Sequence, residues 1–376
     1  MAKQIYTPSP ARIKAIGIGG GGSNAVTRMV REGLKGVDFI AMNTDGQALA
    51  LAEAPTRIQL GEKLTRGLGA GGDNKVGAKA AEESMDVIED VVKGADMVFI
   101  AAGMGGGTGT GGIPIVAEVA KKSGALTIAV VTKPFTFEGT HRSLVAEEGL
   151  VDLTNKVDTL IIIPNDRLLQ LCDAKTSVDN AFKLADDALR LGVQAISEVV
   201  TVPGLINLDF ADIRSVMKDA GPAWMSVGKA SGQSRAAEAA KAAMASPLLD
   251  VSIAGATGVL FNVTGGPSLT LFECNEAAQV ISQSVDPEAN IIFGVVFDPK
   301  MESELRITVI ATGFAKVAGG GVRTSDELRR LIRGGSEALD MPSFLRRTPR
   351  FPVSRLESKS STPSAVSPEA TRISRQ

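Results

Sequence analysis

Short apolar runs alternate with helix-like periodic patterns through the first half of the chain. The apolar runs predict strands at residues 13–18, 39–42, 57–60, 97–101, 126–131 and 159–163. Segments with helical periodicity separate most of them, for example at 75–92 and 144–153. Because this alternation is typical of a parallel sheet covered by helices on both faces, we expect an α/β fold here.

The second half of the chain has a different pattern. Residues 178–200 lack proline, contain one glycine and repeat apolar side chains at helical spacing, as at Leu189, Val193 and Ile196, which predicts one long helix. A proline and a glycine at positions 203 and 204 end it. The pattern then indicates a helix, a strand, another helix, and strands at 258–263, 291–297 and 305–311, so we expect an α+β second domain.

Composition narrows the class of protein. A chain of 376 residues with 44% hydrophobic residues is long enough for two domains with cores. No apolar stretch reaches the length of a membrane span, and the N-terminus does not resemble a signal peptide. Cys172 and Cys274 are the only cysteines and lack metal-site spacing, so we expect a reducing cytoplasm. With His141 as the only histidine, chemistry based on a histidine cluster is excluded.

Charge is unevenly distributed along the chain. Residues 323–376 contain 11 Lys or Arg and 6 Asp or Glu, a net charge of +5, so the rest carries −7 of the total of −2. An acidic body argues against a nucleic-acid-binding core. The basic tail permits weak attraction to anionic lipid or to acidic partners.

The most informative motif is the sequence AGMGGGTGTGG at 102–112, directly after the strand predicted at 97–101. Glycines let backbone N–H groups turn toward one point and approach an anion closely, and Thr108 and Thr110 add hydroxyl groups. The helix predicted at 113–119 would direct its N-terminus to the same anion. A flexible linker is the alternative, but linkers rarely lie between a buried strand and a helix. The motif therefore predicts a phosphate cradle.

Two further glycine-rich segments follow predicted strands, at 17–24 and 67–72, the first before a helix predicted at 25–32. None of these segments has the Lys-Ser/Thr pair of a P-loop. The first segment alone resembles a dinucleotide fingerprint, with Asp45 near the end of the next strand, and this leaves a dehydrogenase as an alternative. Three glycine loops suit one triphosphate better than a hydride cofactor.

Seven motifs occur in an order that resembles the FtsZ family, the tubulin-like GTPases of bacterial cell division: GIGGGGSNAV, AMNTDGQAL, RGLGAGGD, GMGGGTGTGG, TKPFTFEG, IPNDRL and NLDFADIR. The resemblance covers about residues 12–314, with a further similarity at 340–347. It implies a tubulin-like GTPase domain with a parallel sheet, a long central helix, an α+β C-terminal domain and a disordered tail. The implied boundaries are a flexible N-terminus at 1–11, a GTP-binding domain at 12–177, a central helix at 178–202, a C-terminal domain at 203–315, a linker at 316–339, a partner-docking peptide at 340–348 and a disordered basic tail at 349–376.

The resemblance also implies a GTP/GDP site. Its phosphate-binding residues are Gly20, Gly21, Gly22, Gly71, Gly72, Gly103, Gly105, Gly106, Gly107, Thr108, Gly109 and Thr110, with further nucleotide contacts at Ser23, Asn24, Asn43 and Pro134. Asp186 matches the guanine-reading residue, Asn165 and Asn24 match nearby contacts, Phe182 matches the residue that stacks on the base, and Glu138 and Arg142 match ribose contacts. Mg²⁺ prefers phosphate oxygens and water, so we expect no dedicated metal site.

Each of these residues also has a simpler interpretation. Asp186 lies next to Asp187, and both cannot face inward, so a solvated helix face is the alternative for it. Glu138 and Arg142 are four residues apart, which also suits a plain surface ion pair. Two departures from the family pattern are Ser23, where glycine is common, and Asp73-Asn74 in place of an asparagine–proline pair.

For hydrolysis, Asn207, Asp209 and Asp212 supply a carboxamide and two carboxylates in the motif NLDFADIR. The long helix spans roughly 30 Å or more, so this loop cannot easily reach the γ-phosphate of its own subunit. By the resemblance, a second subunit stacked head to tail brings the loop to the phosphate, and a non-closing contact of this kind produces filaments. The local alternative is that Asp209 caps the next helix. A filament former that binds GTP without hydrolysing it is a further alternative.

The peptide Asp340–Arg347 resembles the family's docking peptide for membrane-tethering and regulatory division proteins, although about thirty residues follow it here. Met341, Phe344 and Leu345 would lie on one face of a short helix. The implied location is the cytoplasm, at the division site.

Overall fold

The computed structural model describes residues 11–170, 172, 175–201, 209–248 and 253–314. Residues 1–10, Asn207 and the predicted linker, docking peptide and basic tail lie outside the described residues.

Strand–helix alternation dominates the first half, as predicted. The elements are β1 (Ile13–Ile18), α1 (Gly19–Arg31), β2 (Val37–Asn43), α2 (Gly46–Ala50), β3 (Thr56–Gln59), α3 (Glu62–Thr65), α4 (Asn74–Glu83), α5 (Met85–Val92), β4 (Met97–Gly103), α6 (Gly107–Lys122), β5 (Leu126–Lys133), α7 (Thr140–Thr154), β6 (Thr159–Pro164) and α8 (Asn165–Leu169). Strands β1 to β6 pair in parallel in the order β3-β2-β1-β4-β5-β6. The prediction of an α/β fold with a parallel sheet is confirmed.

The long helix α9 (Val178–Thr201) leads to the second half of the described chain. The elements that follow are α10 (Phe210–Met217), β7 (Gly221–Ser231), α11 (Arg235–Met244), β8 (Gly258–Gly265), α12 (Leu271–Ser282), β9 (Asn290–Phe297) and β10 (Glu304–Thr312). The start of β7 pairs in parallel with β6, and β7 then pairs antiparallel with β10. Ten strands of the described residues thus form one sheet that ends in the order β6-β7-β10-β8-β9. The domain boundaries given by the sequence analysis stay a prediction.

The apolar core lies on both faces of the sheet. On one face, Val26 of α1, Val193 and Ile196 of α9 and Ile213 of α10 pack in one cluster with Phe99 of β4. On the other face, helices α4 to α7 pack against alternate residues of β1 and β4. A third cluster joins α11 and α12 to β8 and β10. Burial of these apolar faces is the main stabilising contribution.

The largest differences from the predicted helix boundaries are in α1, in α6 and in the helix predicted at 75–92. Helix α1 begins at Gly19 rather than residue 25, and α6 begins at Gly107 rather than residue 113. Glycine is a poor helix former, but a Cβ at Gly22 would lie 2.2 Å from the carbonyl oxygen of Ala101, so only glycine allows α1 to lie this close to β4. The helix predicted at 75–92 is divided at Ser84, whose Oγ accepts a hydrogen bond from the Gly61 N–H at 3.0 Å.

None of the helices among the described residues is long and apolar enough to cross a membrane.

Candidate functional site

The three glycine-rich segments meet at the carboxyl edge of the parallel strands. A Cβ built on Gly19 would lie 3.0 Å from the backbone nitrogen of Gly109, and one on Gly21 would lie 3.4 Å from the nitrogen of Gly103. One on Gly107 would lie 2.8 Å from the Cβ of Ala70, in the third segment. Segments that are far apart in the sequence therefore form one site, at the edge where ligands bind in open α/β sheets.

The glycines of this site fall into two groups. Gly22 and Gly107 allow close packing, because an added Cβ would lie within 3.0 Å of backbone atoms of Ala101 and Asp73. Gly109 allows it within its own segment, where a Cβ would lie 2.6 Å from the Gly103 carbonyl oxygen. In contrast, Cβ atoms built on Gly20, Gly71 and Gly72 would have no atom within 4 Å. The first group fixes the backbone, and the second group has open space where a side chain would lie. This is the geometry of a cradle for a ligand that approaches the backbone closely.

Two helices, α1 and α6, begin at the cradle. Neither helix has an acidic residue in its first turn, and neither has a side-chain hydrogen bond from its N-cap residue, Ile18 or Gly106. Their first N–H groups are therefore available to a ligand, and the positive ends of two helix dipoles favour an anion. The residues present fit the phosphate groups of a nucleotide.

Threonine hydroxyls hold these segments together. The Oγ1 atoms of Thr44 and Thr108 lie 2.6 Å apart, which ties the end of β2 to the start of α6. The Oγ1 of Thr110 accepts a hydrogen bond from the Gly105 N–H at 2.8 Å, and Thr110 is buried. Sequence reasoning assigned Thr108 and Thr110 to the phosphates and missed Thr44. The only signal for Thr44 was its place in the motif NTDG.

An aromatic cluster lies at the start of α9. The ring of Phe182 packs edge-on against Phe135, with ring centroids 5.4 Å apart, and Phe135 stacks on Phe137 at 4.9 Å. Phe135 is buried, whereas Phe137 and Phe182 are exposed. The two exposed rings lie nearly perpendicular, at 87°, so one of them at a time can stack face-on against a base. Sequence reasoning found Phe182 and missed Phe137.

Two buried polar atoms near this edge lack hydrogen-bond partners among the described residues. They are the Oδ1 of Asn165, at the start of α8, and the Oγ of Ser23, in α1. An unpaired buried acceptor or hydroxyl costs about 1–3 kcal/mol, so a ligand donor at either atom would be stabilising. Asn24, the next residue along α1, is exposed. These observations fit the predicted nucleotide contacts at the three residues.

Asp186 and Asp187 both lie near Arg28 of α1, and they do not both face inward, as expected, since 37% of the Asp187 side chain is exposed. The Nη1 of Arg28 lies 2.7 Å from Asp187 Oδ1, whereas its Nε is 4.0 Å from Asp186 Oδ2. The Asp186 side chain is 16% exposed. Burial raises the pKa of Asp186 to about 7, because the attraction of Arg28 only partly offsets the loss of hydration and the charge of Asp187 adds to it. A solvated helix face is therefore the wrong interpretation of Asp186.

Glu138 and Arg142 form the expected ion pair, but they do not share a helix. Glu138 ends a short 3₁₀ turn and Arg142 lies in α7, with Gly139 between them at a φ of 100°. Glu138 Oε2 accepts from Arg142 Nη1 at 2.6 Å, and Glu138 Oε1 accepts from the Phe135 N–H at 2.8 Å. The pair therefore fixes the loop that carries Phe135 and Phe137.

The remaining predicted contacts lie around the cradle. Asn43 is buried, and its Oδ1 accepts from the Asp45 N–H at 3.3 Å. Pro134 lies beside Gly105, since a Cβ on that glycine would be 3.3 Å from the proline Cγ. Asp45 caps α2, where its Oδ1 accepts from the N–H of Gln47 at 2.9 Å. Because this carboxylate is engaged locally, it no longer supports the dehydrogenase alternative.

The predicted catalytic carboxylates belong to α10. Asp209 and Asp212 are both exposed, and Asn207 lies outside the described residues. Asp209 occupies the predicted N-cap position of α10. Its side chain makes no capping hydrogen bond, so the prediction that the Asp209 carboxylate caps this helix is wrong. The other end of α10 is fixed at the amino edge of the sheet, since Thr159, the first residue of β6, donates its hydroxyl to the Met217 carbonyl. The C-terminal end of α10 and the cradle thus lie at opposite edges of the sheet.

No cluster of three or more His, Cys, Asp or Glu that could hold a metal ion occurs among the described residues. The expectation that Mg²⁺ is held mainly by phosphates and water stays a prediction.

Fold and site together define a tubulin-like GTP-binding protein, and comparison with known proteins gives the same class. Residues 12–173 match the Tubulin/FtsZ family, GTPase domain, and residues 221–315 match the FtsZ family, C-terminal domain. An FtsZ dimer from M. jannaschii is 46% identical, with a TM-score of 0.79 over 81% of this chain and 89% of that one. The chain belongs to the FtsZ family.

A more distant similarity concerns the fold alone. The GTPγS-bound protofilament of CetZ2 from Haloferax volcanii is 18% identical, with a TM-score of 0.70 over 86% of this chain and 98% of that one. The GDP-bound monomer of CetZ1 from the same organism is 21% identical, with a TM-score of 0.72 over 87% of this chain and 100% of that one. Both similarities extend across the two halves of the described chain.

Proposed function

We propose that this protein hydrolyses GTP and polymerises head to tail into the filaments of the division ring, with each active site completed by the α10 segment of the next subunit. One observation carries the proposal. The phosphate cradle lies at the carboxyl edge of the sheet, and α10, with Asp209 and Asp212 exposed at its start, is anchored at the amino edge through Thr159. A second copy stacked on the cradle would present these carboxylates to the γ-phosphate.

The chemistry follows from this arrangement. The open glycines and the N-termini of α1 and α6 would bind and orient the phosphates. Asp209 and Asp212 of the next subunit, together with Asn207, would orient and polarise the attacking water. Mg²⁺ on the phosphates would neutralise developing charge. The FtsZ dimer from M. jannaschii and the CetZ2 protofilament are self-associated forms of those proteins, which supports a polymer here.

Asp186 would select guanine. An ionised carboxylate accepts hydrogen bonds from both adjacent donors of the guanine edge, N1–H and the exocyclic amine. Adenine does not offer this pair, and an unpaired buried acceptor costs about 1–3 kcal/mol for each lost contact. GTP should therefore bind far better than ATP, and equal displacement of a fluorescent guanine nucleotide by GTP and ATP would reject this assignment.

The decisive experiment uses Asp212→Ala. This variant should keep GTP affinity but lose most turnover, and it should depress the activity of wild-type protein in mixtures by more than dilution. Specific activity should also rise with protein concentration as polymers form. Turnover that is independent of concentration down to the monomer would contradict a shared site. Polymers that form without phosphate release would instead favour a filament former that binds GTP without hydrolysing it.

We also propose that the peptide Asp340–Arg347 docks membrane-tethering and regulatory division proteins, and that the protein acts in the cytoplasm at mid-cell. The support for this part is the sequence resemblance and the apolar spacing of Met341, Phe344 and Leu345.

A further inference from the structure

Helix α6 begins at the phosphate cradle and ends near α10. Its first residues, Gly107 to Thr110, belong to the cradle, and Lys121 lies in its last turn. The helix has 16 residues, which corresponds to a length of about 24 Å. Eleven of these residues are buried, and the helix packs against α4, α7 and β4. It is therefore a packed connection between the two edges of the sheet.

Lys121 holds the segment that follows α10. Its Nζ lies 3.0 Å from Asp219 Oδ1 and 3.3 Å from Asp158 Oδ1, and it donates to the Val157 carbonyl at 3.0 Å. Asp158 is itself fixed, because its Oδ2 accepts from the Thr127 N–H at 2.9 Å. The Asp158 side chain is 6% exposed, whereas that of Asp219 is 65% exposed. We name Lys121, Asp158 and Asp219 the lysine clasp.

The lysine clasp acts on α10 through a short and constrained piece of chain. Asp219 lies two residues after Met217, the end of α10, and has a left-handed φ of 52°. The same end of the helix is held by the hydroxyl groups of Thr159, bonded to the Met217 carbonyl, and Thr312, 3.2 Å from the Val216 carbonyl. These contacts fix the C-terminal end of α10, whose other end carries Asp209 and Asp212.

The pKa shifts of Lys121 and Asp219 are consistent with the contact between them. Partial burial alone would lower the pKa of the Lys121 ammonium, but its hydrogen bond to Asp219 and the attraction of Asp158 outweigh burial and raise that pKa. The hydrogen bond from Lys121 in turn lowers the pKa of Asp219. Both groups are therefore charged at neutral pH, and the contact between them is a charge-assisted hydrogen bond.

We propose that Lys121 is a positioning residue for the catalytic carboxylates, so that α6 connects the nucleotide cradle of one subunit to the α10 segment that acts on its neighbour's nucleotide. This inference rests on the proposed function. Lys121 touches neither nucleotide in this arrangement; it sets the position of α10 through Asp219.

The first test compares two adjacent lysines. Lys121→Met removes the clasp and keeps the length of the side chain, and Lys122→Met is the control, because its ammonium pairs instead with Glu118 at 2.6 Å in an exposed pair. We expect Lys121→Met to lower GTP turnover per polymerised subunit at least about fivefold, with GTP affinity within about twofold of wild type. Lys121→Arg should restore most of the turnover, and Lys122→Met should match wild type.

A second variant covers the risk of misfolding. Lys121→Met leaves the buried Asp158 carboxylate with fewer partners, which destabilises the fold. Asp219→Asn changes an exposed group, keeps the Lys121–Asp158 contact and suits the left-handed backbone. It should fold like wild type and show a smaller loss of turnover in the same direction. Turnover at the level of Lys122→Met in both variants, while Asp212→Ala is inactive, would overturn the inference.

A mixing experiment separates an effect on the neighbour from an effect on the subunit's own cradle. Lys121→Met keeps an intact cradle but has a displaced α10. Asp186→Ala keeps a correctly positioned α10 but binds guanine nucleotide poorly. If the lysine clasp positions α10, GTP turnover of the mixture should exceed the sum of the two variants measured separately. The reason is that some subunit junctions then combine the intact cradle of one variant with the correctly positioned α10 of the other. Activity no greater than the sum, or weakened GTP binding in Lys121→Met, would contradict the inference. If Asp212→Ala retains full turnover, the proposed function itself fails.

Discussion

The guanidinium of Arg28 lies 2.7 Å from the carboxylate of Asp187, in α9. Asp186, the adjacent residue, stays 4.0 Å from the same guanidinium and is the more buried of the two carboxylates. One arginine therefore stabilises one charge and leaves the other incompletely compensated. Burial, which Arg28 offsets only in part, raises the pKa of the proposed guanine-reading residue to about 7 and leads to two predictions about pH.

The first prediction concerns nucleotide affinity. If the ionised Asp186 accepts from guanine, binding of GDP releases the proton that the free protein holds below pH 7. Affinity should fall about tenfold between about pH 8 and pH 6, as expected for one proton and a pKa of about 7. The nucleotide phosphates also titrate in this range. Calorimetric titrations should therefore compare wild type with Asp186→Asn and the same nucleotide, because phosphate ionisation then contributes equally to both affinities. Parallel pH profiles for the two proteins would contradict the assignment.

The second prediction concerns stability of the nucleotide-free protein. Because the folded-state pKa of Asp186 is raised above its unfolded value, the folded state binds more protons between those two values, and stability falls as pH rises through that range. Asp186→Asn should therefore stabilise the free protein at about pH 8 by about 1–3 kcal/mol. Urea unfolding at about pH 5 should show a much smaller gain. An equal gain at both pH values would argue against titration of Asp186 as its cause.

A third prediction separates the two groups of cradle glycines. In Gly22→Ala, the new Cβ would lie 2.2 Å from the Ala101 carbonyl oxygen, so α1 must move from β4 at a cost of about 1–3 kcal/mol or more. Gly20→Ala meets no atom within 4 Å and should fold with unchanged stability, while its methyl group enters the cradle and weakens GTP binding. Thermal unfolding without nucleotide and GTP titration measure the two effects. Equal destabilisation by both substitutions would show that this division of the glycines is wrong.

The fourth prediction concerns the Thr110 hydroxyl. Thr110→Val keeps the shape of the side chain but leaves the buried Gly105 N–H without its acceptor, so stability should fall by about 1–3 kcal/mol. Because Gly105 belongs to the cradle, GTP affinity should fall as well. Thr108→Val is the matched variant, since its hydroxyl bonds Thr44 rather than a backbone N–H. If the free energy of unfolding of Thr110→Val in urea is unchanged, another acceptor must form a hydrogen bond with the Gly105 N–H.

The fifth prediction concerns the C-terminal tail. Truncation before Gly335 should leave GTP-dependent polymerisation intact and abolish recruitment to vesicles coated with a membrane-tethering partner. Phe344→Ala should have the same effect, because an aromatic anchor contributes much of the affinity of a small interface. Higher salt should weaken recruitment, since Arg346 and Arg347 flank the apolar face. Full recruitment of the truncated protein in co-sedimentation would assign docking to another region.

Sequence by itself determined most of the regular structure and the location of the site. The strand predicted at 13–18 is β1, and the helix predicted at 178–200 is α9, which ends one residue later. Local apolar spacing was sufficient because each of these elements buries its own apolar face. Because the glycine segments were predicted to follow strands of a parallel sheet, and loops at the carboxyl ends of such strands share an edge, the sequence also places these segments together.

Only the tertiary structure decided features that depend on distant partners. Helices α1 and α6 begin at Gly19 and Gly107, where local propensity predicts a loop, and segments distant in the sequence lie within 3.0 Å of where a Cβ would be at these two positions. Ser84 divides a helix because Gly61 donates to it. The burial of Asp186 beside Arg28 and the contact of Lys121 with Asp219 likewise join residues far apart in the sequence. Desolvation and charge pairing are sums over all neighbours in space, and the order of residues along the chain does not specify those neighbours.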